Sequence, residues 1–237
     1  MNALRTRAAA ATFALAAALL ALSGAAQAAL VDRGGGLVFD STRNLTWLAD
    51  MNYAGTSRHT GPGVNASNGQ MTWDAANAWA DNLVFGGYSD WRLPTLNPQD
   101  TNCSVNYVPF DGAPRQYGGA NCTGGELSGL FVTELGFNRD GTARITSDDS
   151  DEQKANLALF KNLLNKGYWS STVYLPGLFL DAAWFFDTRI GSQDWDARSV
   201  PLNAVAVRAG DVPEPRTLTL MLLALGATVV VRMCRPA

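Results

Sequence analysis

MTWDAANAWADNLVFGGYSDWRLPT, residues 71–95, joins a helix to an extended segment through a double glycine. Thr72 is placed to cap the helix entrance, Asp74 falls in the first turn where the helix dipole favours an acid, and Ala76, Trp79, Ala80 and Leu83 share one face. Gly86-Gly87 ends the helix, and YSDWRLPT then runs extended until Pro94 stops it. Asp90 lies beside Arg92, and a charge-assisted hydrogen bond between them is expected to hold this turn.

Upstream, LVFDSTRNLTWLAD reads as a hairpin: Leu37-Val38-Phe39 and Leu45-Thr46-Trp47-Leu48 flank the polar turn Asp40 to Asn44. Between hairpin and helix, YAGTSRHTGPGVNASNGQ has no periodicity and reads as a surface loop. Downstream, Leu96 to Asn121 is irregular. GELSGLFVTELGF predicts a short helix with Leu127, Leu130, Phe131 and Leu135 in line. The acidic SDDSDEQ precedes ANLALFKNLLNKG, a second short helix ended by Gly167. YWSSTVY, AAWFFDT and NAVAVRAG read as strands, separated by LPGLFLD and RIGSQDWDARSVPL. Strands with two or three short helices on unequal loops, and without regular strand–helix alternation, give an α+β domain rather than a doubly wound sheet.

The two ends carry addresses. MNALRTR, the apolar ATFALAAALLAL and Ala26-Gln27-Ala28 form a secretory signal with a small-x-small cleavage site, so residues 1–29 are expected to be removed. Residues 217–231 are uncharged and span about 22 Å as a helix, short of the ~30 Å hydrocarbon core unless Arg216, Arg232 and Arg235 snorkel to the interfaces. A buried C-terminal helix is the competing reading; the absence of a polar face and the Pro-Glu-Pro entry stand against it. The expected order is therefore a signal (1–29), one domain (30–211), and a tail (212–237) that makes transient membrane contact with its arginines on the cytoplasmic side. The chain is expected to be exported by the secretion machinery across the inner membrane, with the body at the cell surface or beyond it.

Val212-Pro213-Glu214-Pro215, followed by an apolar run and a basic end, resembles a PEP-CTERM sorting signal. The resemblance implies an exosortase as partner and cleavage near Pro213, Glu214 and Pro215. Within the body, GLVFDSTRNLTWLADMNYA, MTWDAANAWADNL, Asp90-Trp91-Arg92-Leu93-Pro94-Thr95, Tyr168-Trp169-Ser170-Ser171-Thr172, AAWFF and NAVAVRAG occur in that order. Together they resemble the family named after the C-terminal domain of the bacterial collagen-like protein Lcl, over about Gly36 to Gly210. That resemblance implies a C-type-lectin-like fold, a curled antiparallel sheet with flanking helices and long loops, acting as a binding or adhesion module for glycan or exopolysaccharide rather than as an enzyme. The Glu-Pro-Asn and Trp-Asn-Asp triplets of animal lectins are missing, so calcium as a cofactor has no supporting motif.

The body carries ten Arg and three Lys against seventeen Asp and three Glu, a net charge of −7. Without basic runs, that balance argues against nucleic acid as a partner. Cys103 and Cys122, in an exported chain, are expected to form a disulfide; closing their 19-residue separation is worth about 3 kcal/mol in the loop-entropy model. Trp47, Trp73, Trp79, Trp91, Trp169 and Trp184 sit in apolar patterns and are expected as core anchors.

Trp195 differs, because GSQDWDARS surrounds it with polar residues. An aromatic platform with nearby hydroxyl acceptors suits a sugar, which makes Gln193, Asp194, Trp195, Asp196 and Arg198 the candidate ligand-binding residues. The competing reading is an ordinary strand-connecting loop with its Trp folded inward. Ser147 to Glu152 offers oxygen ligands but fails the EF-hand spacing, and a solvated loop capping the next helix fits it better, so no metal site is assigned. His59 is the single histidine, and no nucleophile elbow, zinc motif or phosphate loop accompanies it. No catalytic residue is assigned. The rivals to glycan binding are a structural matrix protein without a glycan site and a secreted glycoside hydrolase using a carboxylate pair.

Overall fold

A computed structural model describes residues 29–108, 112, 114–137, 150–174 and 181–211. The signal up to residue 28, the tail with Pro213, Glu214 and Pro215, and the acidic run before Ser150 lie outside the described residues. Among the described residues, no helix is long and apolar enough to cross a membrane.

The hairpin forms as its pattern requires. β2 (Leu37–Asp40) pairs antiparallel with β3 (Leu45–Leu48), Leu37 opposite Leu48 and Asp40 opposite Leu45. Asn44 takes φ 52°, a left-handed conformation that asparagine tolerates, at the turn. β1 (Leu30–Gly34) pairs with β2 on one side, and β11 (Val207–Ala209) with β3 on the other, giving a four-stranded antiparallel sheet, β1-β2-β3-β11. A second antiparallel sheet, β8-β9-β10, is built from Gly167–Val173, Ala182–Asp187 and Ser192–Ala197. The segment from Asn203 to Val207 stitches the two together: Trp169 N donates to Asn203 O at 2.9 Å, and Leu48 N donates to Ala206 O at 3.2 Å.

The molecule is thus mixed α and β, with mostly antiparallel sheets and few short helices, in keeping with the α+β expectation. α1 (Tyr53–Thr56) and the two-residue ladder of β4 (Val64–Asn65) with β5 (Gln70–Met71) occupy the stretch expected to be a bare loop. Asn and Gly turns brace it internally: Gly69 N donates to Asn65 O at 2.8 Å with φ 76°. α2 (Trp73–Asp81) is capped by Thr72, whose side chain accepts from Ala75 N, and buries Ala76, Trp79 and Ala80.

The helix at 126 begins as one α-turn, α3 (Glu126–Ser128), and widens into a π-turn, Gly129–Glu134, that buries Leu127, Leu130 and Phe131, with Leu135 buried just after it. The third expected helix is shifted. α4 spans Asp151–Ala158, because Ser150 and Gln153 form a reciprocal capping box and Asp151 and Glu152 occupy the first turn; Gly167 opens β8 instead of ending a helix. Asp90 and Arg92 do not bond to each other. Arg92 forms a two-pronged pair with Glu126, at 2.7 Å on each prong, and Asp90 pairs with Arg208 at 2.8 and 3.0 Å. Each side chain is claimed by an opposite charge brought in from a distant segment, Glu126 for Arg92 and Arg208 for Asp90.

Five of the six expected anchors, Trp47, Trp79, Trp91, Trp169 and Trp184, are buried, and Trp73 is half-buried under the Arg198 guanidinium at 4.0 Å. Gly210 N donates to Asn44 O, and Arg33 pairs with Asp211 across 178 positions, so the two ends of the body leave from one side.

Candidate functional site

Four of the five candidate residues lie on β10 and Arg198 directly follows it, where the sequence pattern predicts a loop. Six consecutive residues pair with β9, from Ser192 opposite Asp187 to Ala197 opposite Ala182. The strand escapes a hydrophobic-pattern reading because polar Gln193, Asp194 and Asp196 interrupt it and are satisfied by its neighbours in the fold.

The geometry sorts the five residues. Gln193 is fully buried, and its side-chain amide donates to Asn97 O at 3.1 Å and Tyr117 O at 3.0 Å, tying β10 to the loop and to β7 (Gln116–Gly118). Arg198 reaches the other way. It pairs with Asp74 and Asp181 and lies over Trp73, joining the end of β10 to the start of α2. Asp194, Trp195 and Asp196 remain together, half-buried at the strand edge.

Around Trp195 an aromatic cluster assembles from distant segments. Tyr174, just past β8, stacks on the indole with centroids 4.3 Å apart and planes 11° off parallel. The small Ala182 lies opposite Ala197 on the intervening strand and accepts from Tyr174 N, leaving room for two large rings to lean together. Tyr107, from β6 (Val105–Tyr107), meets both Trp195 and Trp184 edge to face, at 6.5 and 6.0 Å. Its hydroxyl donates to Asp194 Oδ1 at 3.1 Å. Burial, the Asp194 charge and this bond all favour the neutral phenol, so the Tyr107 pKa is pushed above its usual value; Tyr174 moves the same way, through burial and then Asp194. Trp184 Nε1 donates to Gln116 Oε1 at 3.2 Å beneath the cluster.

Sequence reasoning missed Tyr107, Tyr174 and Gly118. A Cβ on Gly118 would sit 2.8 Å from Gln193 O, 2.9 Å from the Tyr107 ring and 3.0 Å from Trp184, so only glycine lets β7 and β6 close on β10. The GG in QYGGAN was a visible signal, but nothing in it named the partners.

The expected disulfide is present: Cys103 and Cys122 are bonded, with Cα atoms 4.4 Å apart. The loop it staples is organised by Asp100, whose Oδ2 accepts from Thr123 N and Gly124 N at 2.6 and 2.7 Å. Among the described residues, no group of three or more His, Cys, Asp or Glu is placed to hold a metal ion.

Many carboxylates are committed to arginines. Asp40 and Glu134 hold Arg43, Glu126 holds Arg92, Asp187 holds Arg189 and Asp90 holds Arg208. Burial works to raise the Glu126 carboxyl, but bonds from Arg92 and Thr95 outweigh it and leave it below the usual range. No protein-family model, no curated protein and no solved structure matches this chain.

Proposed function

We propose that this protein is an exported surface or matrix-associated binding module for glycan or exopolysaccharide, carried on a C-type-lectin-like body of the Lcl C-terminal-domain type and released through a PEP-CTERM tail by an exosortase. The observation that carries the ligand part is the cluster of half-buried Trp195, Tyr107 and Asp194 with buried Tyr174, gathered from three distant segments. An aromatic surface rimmed by carboxylate oxygens offers apolar contact to a sugar ring and acceptors to its hydroxyls. In support of a non-catalytic reading, Asp40, Glu134, Glu126, Asp187 and Asp90 are each held by an arginine.

The test is binding of the purified body, residues 30–211, to the producing cell's own polysaccharide and to a broad glycan panel, with and without calcium. Binding that Trp195→Ala weakens by about tenfold or more, as for loss of one stacking contact, supports the reading. No binding under any of these conditions defeats it.

One observation favours the structural matrix alternative. Tyr174 covers a face of Trp195, and Gln193 is wholly internal, so part of the candidate patch serves the fold. Concentration-dependent assembly indifferent to sugars and to Trp195→Ala would support that second reading.

A further inference from the structure

The turn between β4 and β5 sets Asn68 directly before Gly69, and the fold requires both residues there. Gly69 lies at φ 76°, and a Cβ on it would sit 2.4 Å from Gly55 N and 2.7 Å from Asn52 Oδ1, so no side chain fits against α1. Asn68 shapes the turn with its amide: Oδ1 accepts from Gln70 N and Nδ2 donates to Gln70 Oε1, both at 2.9 Å. Asn68 is exposed to water, while Gly69 is buried.

Asparagine is a thermolabile residue, and most so before glycine, where no side chain hinders the following amide. In the reaction Gly69 N bonds to Asn68 Cγ and gives up its proton, the Cγ–Nδ2 bond breaks, and Nδ2 leaves with that proton as ammonia. Water then opens the cyclic imide. Cleavage of the imide bond to Cγ gives aspartate; cleavage of the bond to the Asn68 main-chain carbonyl carbon gives isoaspartate, whose side-chain carbons now run in the backbone. Water is the co-reactant.

Both reacting groups are occupied in the fold. Gly69 N donates to Asn65 O at 2.8 Å, and the Asn68 amide is held on Gln70 at both of its ends. Ring closure has to break the first bond and turn the amide off Gln70.

We infer that Asn68-Gly69 is a self-modification site that the folded turn holds latent: it converts when β4 and β5 part, and the ladder cannot re-form around the isoaspartate product. The second half follows from the packing. An added main-chain carbon displaces Gly69 from its close seat on Gly55 and carries into β5. There Met71 N donates to Leu202 O at 2.8 Å, and Met71 O accepts from the buried Trp169 indole at 3.0 Å. A local opening, ordinarily reversible, is thereby made permanent. This goes beyond the glycan reading and does not depend on it, since it concerns a different part of the chain and no ligand.

The experiment incubates the whole chain at neutral pH in heavy-oxygen water, native and in urea, and follows the tryptic peptide 59–92 by fragmentation mass spectrometry. Each conversion leaves a solvent oxygen in the new carboxyl, and labelling by an isoaspartyl methyltransferase reads the isoaspartate. The folded protein should convert Asn68 roughly tenfold or more slowly than the unfolded chain, because hydrogen bonds of ordinary strength must break before the ring can close. Gln70→Ala removes the acceptor of Nδ2, and should speed conversion of the folded protein by roughly threefold while leaving the unfolded rate unchanged. Asn68→Ser keeps an acceptor for Gln70 N and should show no conversion at this position. The isoaspartyl fraction, separated by chromatography, should unfold at a lower urea concentration than the unmodified protein. Equal rates in the folded and unfolded chains overturn the proposal, and so does a folded Gln70→Ala rate equal to wild type. An isoaspartyl fraction with the wild-type urea midpoint sinks the claim that the ladder cannot re-form.

Discussion

Arg43 shows how a single side chain joins separate parts of the chain. Its guanidinium bonds Asp40 at 2.9 Å, in its own hairpin turn, and Glu134 at 3.0 Å, on the π-turn, and both carboxylates are buried. Burial alone would disfavour the charge; the two acids reverse that and raise the Arg43 pKa. Asp40→Ala would leave a partly buried cation with one partner, and is expected to cost about 3–5 kcal/mol in urea unfolding. Tyr107 carries a pH signature. Its pKa is raised in the folded state, so its contribution is fully present below the unfolded tyrosine value, about pH 10, and is lost as pH rises beyond it. Unfolding free energy should therefore decline on the alkaline side of about pH 10, and less steeply in Tyr107→Phe. Tyr168 and Tyr174 shift in the same direction, so the variant removes only part of the slope.

Among the elements, the hairpin of β2 and β3 and helix α2 are legible because each carries its period and its stop signals locally. Thr72, the Ala76, Trp79 and Ala80 stripe, and the Asp40 to Asn44 turn all behave as their spacing implies. β10 is not legible. Its polar residues are satisfied by partners far away: Gln193 by Asn97 and Tyr117, Asp194 by Tyr107, and Arg198 by Asp74. Gly118 decides how closely the β6–β7 hairpin approaches it. Gly118→Ala is expected to push Tyr107 and Trp184 apart and cost about 1–3 kcal/mol, read as a lower urea midpoint together with a changed near-ultraviolet aromatic signal.

For the whole molecule, the two sheets share the Asn203 to Val207 segment, and the stapled 96–125 loop is laid against the second sheet through Gly119. The Cys103–Cys122 bond restrains that loop in the unfolded chain. Reduction, or replacement of both cysteines by serine, should lower stability by about 3 kcal/mol, measured by urea unfolding with and without reductant. The cluster around Tyr107 and Trp195 should loosen with it, because β6 begins two residues after Cys103 and β7 ends four residues before Cys122.

The α+β class, the hairpin, the capped helix, five buried tryptophans and the cysteine pair were legible in the residues alone, since period, caps and composition act within short windows. Only the tertiary structure decided that GSQDWDARS is a strand, that Arg92 answers to Glu126 and Asp90 to Arg208, and that Tyr107 and Tyr174 converge on Trp195. Polar groups at an edge are satisfied by whatever the fold brings beside them, and that choice is written across the chain rather than within any window of it.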